Sequence, residues 1–560
     1  MKKRTPSAGS AAGIRLFTVL CFLLSVIALA ACSNPSGGGP TWYTVTYSAG
    51  RGTGTVPASQ TVLAGTAITL PQKGDLAAIA STERFGGWSN GQRPYAADAS
   101  YTVNAAVTFT AQWMEPLALA NNALAAYLFS APGGDPGGAG AADPVPLPVN
   151  IALANDWSDL LTAISNGGKY VALDLSACDM TGTTGEFDPD IDSSTGKSLV
   201  AALVLPDDAT SIKAGTYYYD STFRYFAALK TVSGANITTV GNYAFEDHTA
   251  LKTVSLPKAT DIGVEAFANC AALASVSLPQ AADIGSNAFR GCTALKTVSF
   301  PEAADIGSNA FDGCAALETV SLPQAADIGN DAFRGCTALK TVSFPQALTV
   351  GDYAFSGCTA LKTVPLPQAT DIGGGAFYGC TALETVSLPE ATDIGYGAFA
   401  DCTALETVSL PKALAVGNDA FADCAALETV SLPEALTVGN NAFDRCTALE
   451  TVPLPKAAAI GNYAFRGCTA LETVSLPEAT AIGYSAFMGT GITGLTVTLG
   501  TASPTVGVYM FYEVDSPKTV TVRVPYASAA EWEPAGYNAT WVTAFTGGNT
   551  NINVDFASSL

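Results

Sequence analysis

The sequence predicts an α/β repeat solenoid, a coil with a parallel β-sheet on one face and short helical turns on the other, preceded by a small β-rich domain. Three observations predict it. Phenylalanine recurs every 22 residues, without one insertion, at 245, 267, 289, 311, 333, 355, 377, 399, 421, 443, 465 and 487. Around each lies the unit T-A-L-[KE]-T-V-S-L-P-x-A-x-x-[IV]-G-x-x-A-F-x-x-C, and twelve such units fill 264 of the 560 residues. Hydrophobic residues make up 48% and charged residues only 13%. That is ample apolar material for a large core, with about half the usual charge. A fixed period of this length marks a stack whose units bury their apolar faces against one another.

In chain order, residues 1–31 read as an export signal. Lys2, Lys3, Arg4 and Arg15 supply the basic part and Leu16 to Leu29 the apolar part, which is shorter than the roughly 20 residues a spanning helix needs. The segment ends Leu29-Ala30-Ala31-Cys32. Small residues before a cysteine resemble a bacterial lipoprotein lipobox. The resemblance implies lipidation at Cys32 and a lipid-anchored mature protein; an ordinary secretory signal with an incidental cysteine is the alternative. Ser33 after the cysteine resembles outer-membrane sorting signals. Residues 32–40 would then be a tether.

Residues 41–115 carry their own pattern. Tyr43 to Tyr47 alternates apolar and polar, Gly50 to Gly54 is a turn cluster, and Thr61 to Leu70 and Tyr101 to Trp113 are β-branched runs. The combination YTVTYSAGRGTGTVP, FGGWSNG and VTFTAQW resembles the Listeria–Bacteroides repeat, also seen as the internalin B-repeat. The resemblance implies a compact β-grasp-like stalk module. Trp88 and Trp113 read as core aromatics, with ligand stacking as the alternative.

Residues 116–148 form a helix and a Pro/Gly linker. Leu117 to Phe129 has helical spacing, and APGGDPGGAGAADPVPLP follows, flexible or extended by composition. Residues 149–226 read as an N-terminal cap of degenerate repeats. They contain a short helix over Asn155 to Ser165 and strands over Tyr170 to Leu175 and Leu199 to Leu205.

The twelve 22-residue repeats occupy residues 227–490. Within Thr249 to Cys270, Val254 and Leu256 alternate with Thr253 and Ser255 as in a short strand, and Pro257 ends it. Leu251, Val254, Leu256, Ala259 and Ile262 would point inward, and Gly263 would permit a turn. Ala266, Phe267 and Cys270 share one face at helical spacing. Strands stacked at about 4.8 Å make an arc about 55–60 Å long. Residues 491–560 lose the period and read as a C-terminal cap.

The spacing L-x-x-V-x-L followed by I-G-x-x-A-F-x-x-C resembles the leucine-rich repeat of the BspA-like surface-antigen type. The resemblance implies a leucine-rich-repeat arc on an exported bacterial protein, at the outer membrane or cell surface, with the periplasmic face as the alternative. It also implies adhesion to protein or glycan polymers, host matrix and other bacteria among them.

Little in the chain points to chemistry. With residues 1–31 removed, 22 basic residues face 48 acidic ones, a balance of −26, a field that repels nucleic acid. His248 is the single histidine, which excludes most histidine-based catalysis. No catalytic residue, metal, cofactor or small-molecule substrate is expected. Phe267, Phe289 and Phe311, with Cys270, Cys292 and Cys314, begin two structural ladders. The ten-membered cysteine file reads as buried thiols, with adjacent disulfides or a metal file as alternatives. His248 and Thr490 occupy the same slot at the two ends, where lower burial is expected. Asp261, Asp283, Asp305 and Asp327 make a third file, read as turn caps, with a calcium ladder as the alternative.

Candidate partner-binding residues lie on the strand face and its edge. Thr253, Ser255 and Pro257 with their equivalents form a near-uniform Thr/Ser/Pro carpet, suited to multivalent contact with a polymer. Lys252 and Lys296 mark the first half of the edge, and Glu384, Glu406, Glu428, Glu450 and Glu472 the second. Like charges at this spacing repel, with Lys412 and Lys456 expected to offset them partly. The leading expectation is therefore a non-enzymatic surface lipoprotein that binds macromolecules through the arc. The alternative is a structural envelope or matrix protein whose repeats self-associate.

Overall fold

The computed structural model describes residues 41–560 apart from 72–75, 77–83, 91–93, 96–99, 115–122, 132, 136–140, 142, 182, 190–194, 217–220, 491–494, 502, 508–509, 512–519, 524–551 and 554–560. The export segment, Cys32, the tether, and Trp532 and Trp541 of the C-terminal region lie outside the described residues.

The chain divides into two compact units. The first contains β1 (Trp42–Ser48), β2 (Gln60–Leu63), β3 (Thr66–Thr69), β4 (Arg84–Ser89) from Gly87 onward, β5 (Pro94–Tyr95), β6 (Ser100–Val103) and β7 (Val107–Met114) up to Trp113. Five of them form a sheet in the order β2-β1-β7-β4-β5, and β3 pairs with β6. The alternation in β1 turns Val45 and Tyr47 inward, where Tyr47 meets Trp88 edge-on at 5.2 Å and stacks on Phe109 at 6.1 Å. Trp88 is fully buried, and its Nε1 donates to the Pro71 carbonyl at 2.6 Å, the partner a buried indole needs.

The second unit begins with α1 (Ala123–Ser130), β8 (Val145–Pro148) and α2 (Leu153–Gly167). In α2, Trp157, Leu160, Leu161 and Ile164 form the buried stripe, and Gly168 ends the helix in the left-handed conformation at φ 60°. The Pro/Gly-rich stretch closes in a strand: β8 pairs in parallel with Val171–Asp174 and is buried along its length. Pro146 and Pro148 are tolerated because β8 is the outermost strand of its sheet.

The coil that follows is a parallel solenoid. Leu251, Val254, Leu256, Ala259, Ile262, Ala266, Phe267 and Cys270 all face inward, each at most 2% exposed. A first sheet is built from the strands of Thr253–Ser255 and its equivalents, which pair residue for residue with the next coil. A second sheet, absent from the sequence-based reading, is built from Asp261–Ile262 and its equivalents. It runs through 15 strands from Glu186–Phe187 to Thr505–Val506.

Two local expectations are corrected. Gly263 serves close approach rather than a turn: a Cβ there would stand 2.6 Å from the Asn242 nitrogen, and one at Gly395 2.6 Å from the Gly373 carbonyl carbon. The backbones of successive coils touch at this file, so only glycine fits. The segment around Phe267 is a ladder of turns rather than a helical turn. The amides of Ala266, Ala268 and Cys270 bond three residues back within the coil, whereas those of Glu265, Phe267 and Asn269 bond the next coil. Left-handed residues at Glu265 (φ 55°) and Asn269 (φ 58°) produce this alternation. The sequence answers with Asn, Asp or Gly at most equivalent positions.

Inside, the phenylalanine rings from Phe245 to Phe487 stack 5.1–5.5 Å apart with planes within 9°. Phe223 and Phe511 extend the column at either end.

Candidate interaction surface

Because Val254 and its equivalents point into the core, the flanking Thr and Ser residues point outward. Thr297, Ser299, Thr319 and Ser321 are exposed, whereas Thr253 and Ser255 are half-buried. The edge file runs beside them at one residue per coil. Its backbone is held by bonds from Glu406 N to Glu384 O at 2.9 Å and from Glu472 N to Glu450 O at 2.8 Å.

Charge on this edge is only partly neutralised. Lys340 reaches Glu318 at 2.9 Å, and Lys362 reaches Glu384 at 2.7 Å. The Lys340 hydrogen bond holds the Glu318 carboxyl below its ordinary range, and the Glu384 hydrogen bond raises Lys362. Such exposed pairs stabilise little. Lys412 and Lys456 do not offset the glutamate file. They bond Glu390 (2.5 Å) and Glu434, because each carboxylate lies one coil back in the lysine's own file. Among the described residues, Glu406, Glu428, Glu450 and Glu472 therefore stand in sequence without an ion pair, while Lys252 and Lys296 lie exposed in the first half.

The aspartate file lies on the second sheet. Asp261, Asp283, Asp305 and Asp327 are strand residues, paired in register with one another and exposed, not turn caps. The outward position of a two-residue strand leaves them no turn amide to cap. The first three line a shallow groove of about 890 Å³. Burial, with a hydrogen bond to Asp261, raises the Asp283 carboxyl. Among the described residues, no group of three or more His, Cys, Asp or Glu side chains is placed to hold a metal ion.

The cysteine file is buried, and its thiols are free. Each Sγ from Cys270 to Cys468 donates to the phenylalanine carbonyl 25 residues back, at 3.0–3.3 Å. Burial pushes Cys314 and Cys380 up to about 12, so these thiols stay protonated and unreactive at neutral pH. His248 occupies the slot as expected and makes the same bond, its Nε2 lying 2.7 Å from Phe223 O. Thr490 instead donates to Phe487 O at 2.7 Å. Neither end is looser: His248 is 6% and Thr490 2% exposed, because Phe223 and Phe511 continue the core over them. Sequence reasoning assigned no role to Glu246, Glu265 and Arg290, although Glu at a left-handed position departs from the repeat.

A family model described as the BspA type leucine rich repeat region (6 copies) matches residues 210–340, 326–450 and 436–526. Leucine-rich repeats of this kind are generally non-enzymatic scaffolds for protein interaction and surface recognition. No curated protein matches the chain. Among solved structures, a leucine-rich repeat protein from Bacteroides ovatus is 23% identical over 74% of this chain and 88% of its own, with a TM-score of 0.46. A leucine rich cell surface protein from Faecalibacterium prausnitzii is 23% identical over 46% and 86%, with a TM-score of 0.26. The leucine rich repeat protein of T. pallidum is 27% identical over 31% and 77%, with a TM-score of 0.23.

Proposed function

The chain belongs to the BspA-type leucine-rich-repeat family, and from that premise we propose that it is an exported lipoprotein, anchored through Cys32, that recognises macromolecular partners at the cell surface. The observation that carries the reading is the outward Thr/Ser file, in register within each of the three segments of the first sheet and set beside an edge that carries unpaired charge. A uniform array binds a repetitive polymer through many weak contacts. The edge selects by charge: Glu406, Glu428, Glu450 and Glu472 attract a basic protein, and Lys252 and Lys296 an acidic segment. The candidate partners are host matrix proteins, glycan polymers and the surfaces of other bacteria.

The test is binding of the purified full chain to immobilised matrix proteins and mucins. Loss of binding on deleting residues 249–490 supports the reading. For a basic partner, Glu406→Lys, Glu428→Lys and Glu450→Lys together should lower affinity at least tenfold at low salt. Affinity unchanged by these substitutions removes the acidic edge from recognition.

A further inference from the structure

Four buried side-chain polar atoms among the described residues have no hydrogen-bond partner, and three belong to one group: Glu246 Oε2, Glu265 Oε2 and Arg290 Nε. Glu246 and Glu265 are each 5% exposed. Glu246 and Arg290 occupy the same file two coils apart, with Ala268 between them too short to intervene. Glu265 reaches in from the middle coil. It stands at the left-handed position, φ 55°, where other coils place Asn, Asp, Gly, Tyr or Ser. Arg290 Nη2 lies 4.0 Å from Glu265 Oε2.

Two ionised carboxylates beside one guanidinium leave a negative charge buried without compensation. Neighbouring carboxylates in such a site resolve this by keeping one proton. We propose that Glu246 and Glu265 share a proton as a carboxyl–carboxylate pair, and that this pair is a pH-sensitive latch joining adjacent coils at the start of the repeat array. The Glu246 hydroxyl donates to the Glu265 carboxylate, which in turn faces Arg290. One proton and one guanidinium then balance two carboxyl groups.

The surroundings favour this arrangement. Burial, then the charges of Glu265 and Asp247, hold the Glu246 carboxyl up at about 7 against the opposing pull of Arg290. The Asp247 carboxylate is turned away to accept from Asn269 Nδ2 at 2.9 Å. His248 shows Glu246 only its Nδ1, 3.3 Å from the backbone carbonyl, and burial lowers its pKa, so it is neutral at pH 7. Arg224, one coil earlier in the same file, lies over the Tyr225 ring at 4.6 Å.

The sign follows from the raised value. Opened coils release this proton near an ordinary glutamate pKa of about 4.3, whereas the closed latch keeps it to about 7. The closed form is favoured most at acid pH. That advantage is lost as pH rises through this window and is constant above it.

Hydrogen exchange of the full chain, corrected for intrinsic rates, tests the latch in peptides covering residues 241–270. Opening should increase roughly tenfold or more from pH 5 to pH 7 and level off by pH 8. Glu246→Gln or Glu265→Gln should flatten that dependence, and peptides covering residues 400–430 should show none of it. Exchange independent of pH in the parent protein would overturn the proposal, as would the same dependence in both variants. Calcium added at pH 7.5 that protects the parent but neither variant would also overturn it, assigning the pair to a cation.

Discussion

The second sheet, with two residues per coil, runs unbroken through 15 strands, whereas the first, with three per coil, is interrupted twice. Strand length therefore does not set continuity in this coil. The second sheet adjoins the glycine file, where backbones touch and leave no slack. The first sheet adjoins a position that tolerates variation. Its interruptions fall beside Phe300 and Phe344, which replace the usual leucine, and the second also meets Pro365 in place of serine. Proline lacks the amide that a ladder needs. At Pro453 the same substitution leaves one pair, Thr429 with Thr451, where neighbouring coils make three. Spacing between coils is thus held by the glycine and phenylalanine files, and the first sheet rides on it.

That contrast can be broken or sharpened in four ways. Solenoid unfolding is not uniform along the coil, so each is read by local hydrogen exchange together with urea unfolding of the full chain. Phe377→Ala should have the largest effect, a local loss of about 3–5 kcal/mol, because it removes a fully packed ring between two stacked neighbours. Gly395→Ala should cost about 1–3 kcal/mol and loosen the second sheet between Asp371–Ile372 and Asp393–Ile394. An unchanged second sheet there would refute the close-approach explanation. Phe344→Leu with Pro365→Ser should join two segments of the first sheet and gain about 0.5–1.5 kcal/mol from restored ladder bonds. Cys358→Ala should lose about 1 kcal/mol by stripping the Phe333 carbonyl of its thiol donor, and Cys358→Ser, which keeps a donor, should lose less.

The parts legible in the sequence are those the period dictates. The inward set, the outward Thr and Ser residues and the phenylalanine and cysteine files all follow from 22-residue spacing. The second sheet was not legible, because two residues are too few to show alternation, and Asp261 and Ile262 read equally well as a turn. The turn ladder escaped for a different reason. Ala266, Phe267 and Cys270 have helical spacing, and only the recurrent Asn, Asp and Gly two residues either side of phenylalanine hint at left-handed backbone. Lys412 and Lys456 found partners in their own file, which stacking by 22 would have indicated. Glu246 and Glu265 stood out only when the coils were stacked, since the pair is formed between units and not within one.

The account's central claim is that the coil works at the cell surface. Protease treatment of intact cells, followed by mapping of the fragments, tests it most directly. The account predicts cleavage within residues 227–490 while the cells remain whole. Protection of these residues until lysis would contradict it.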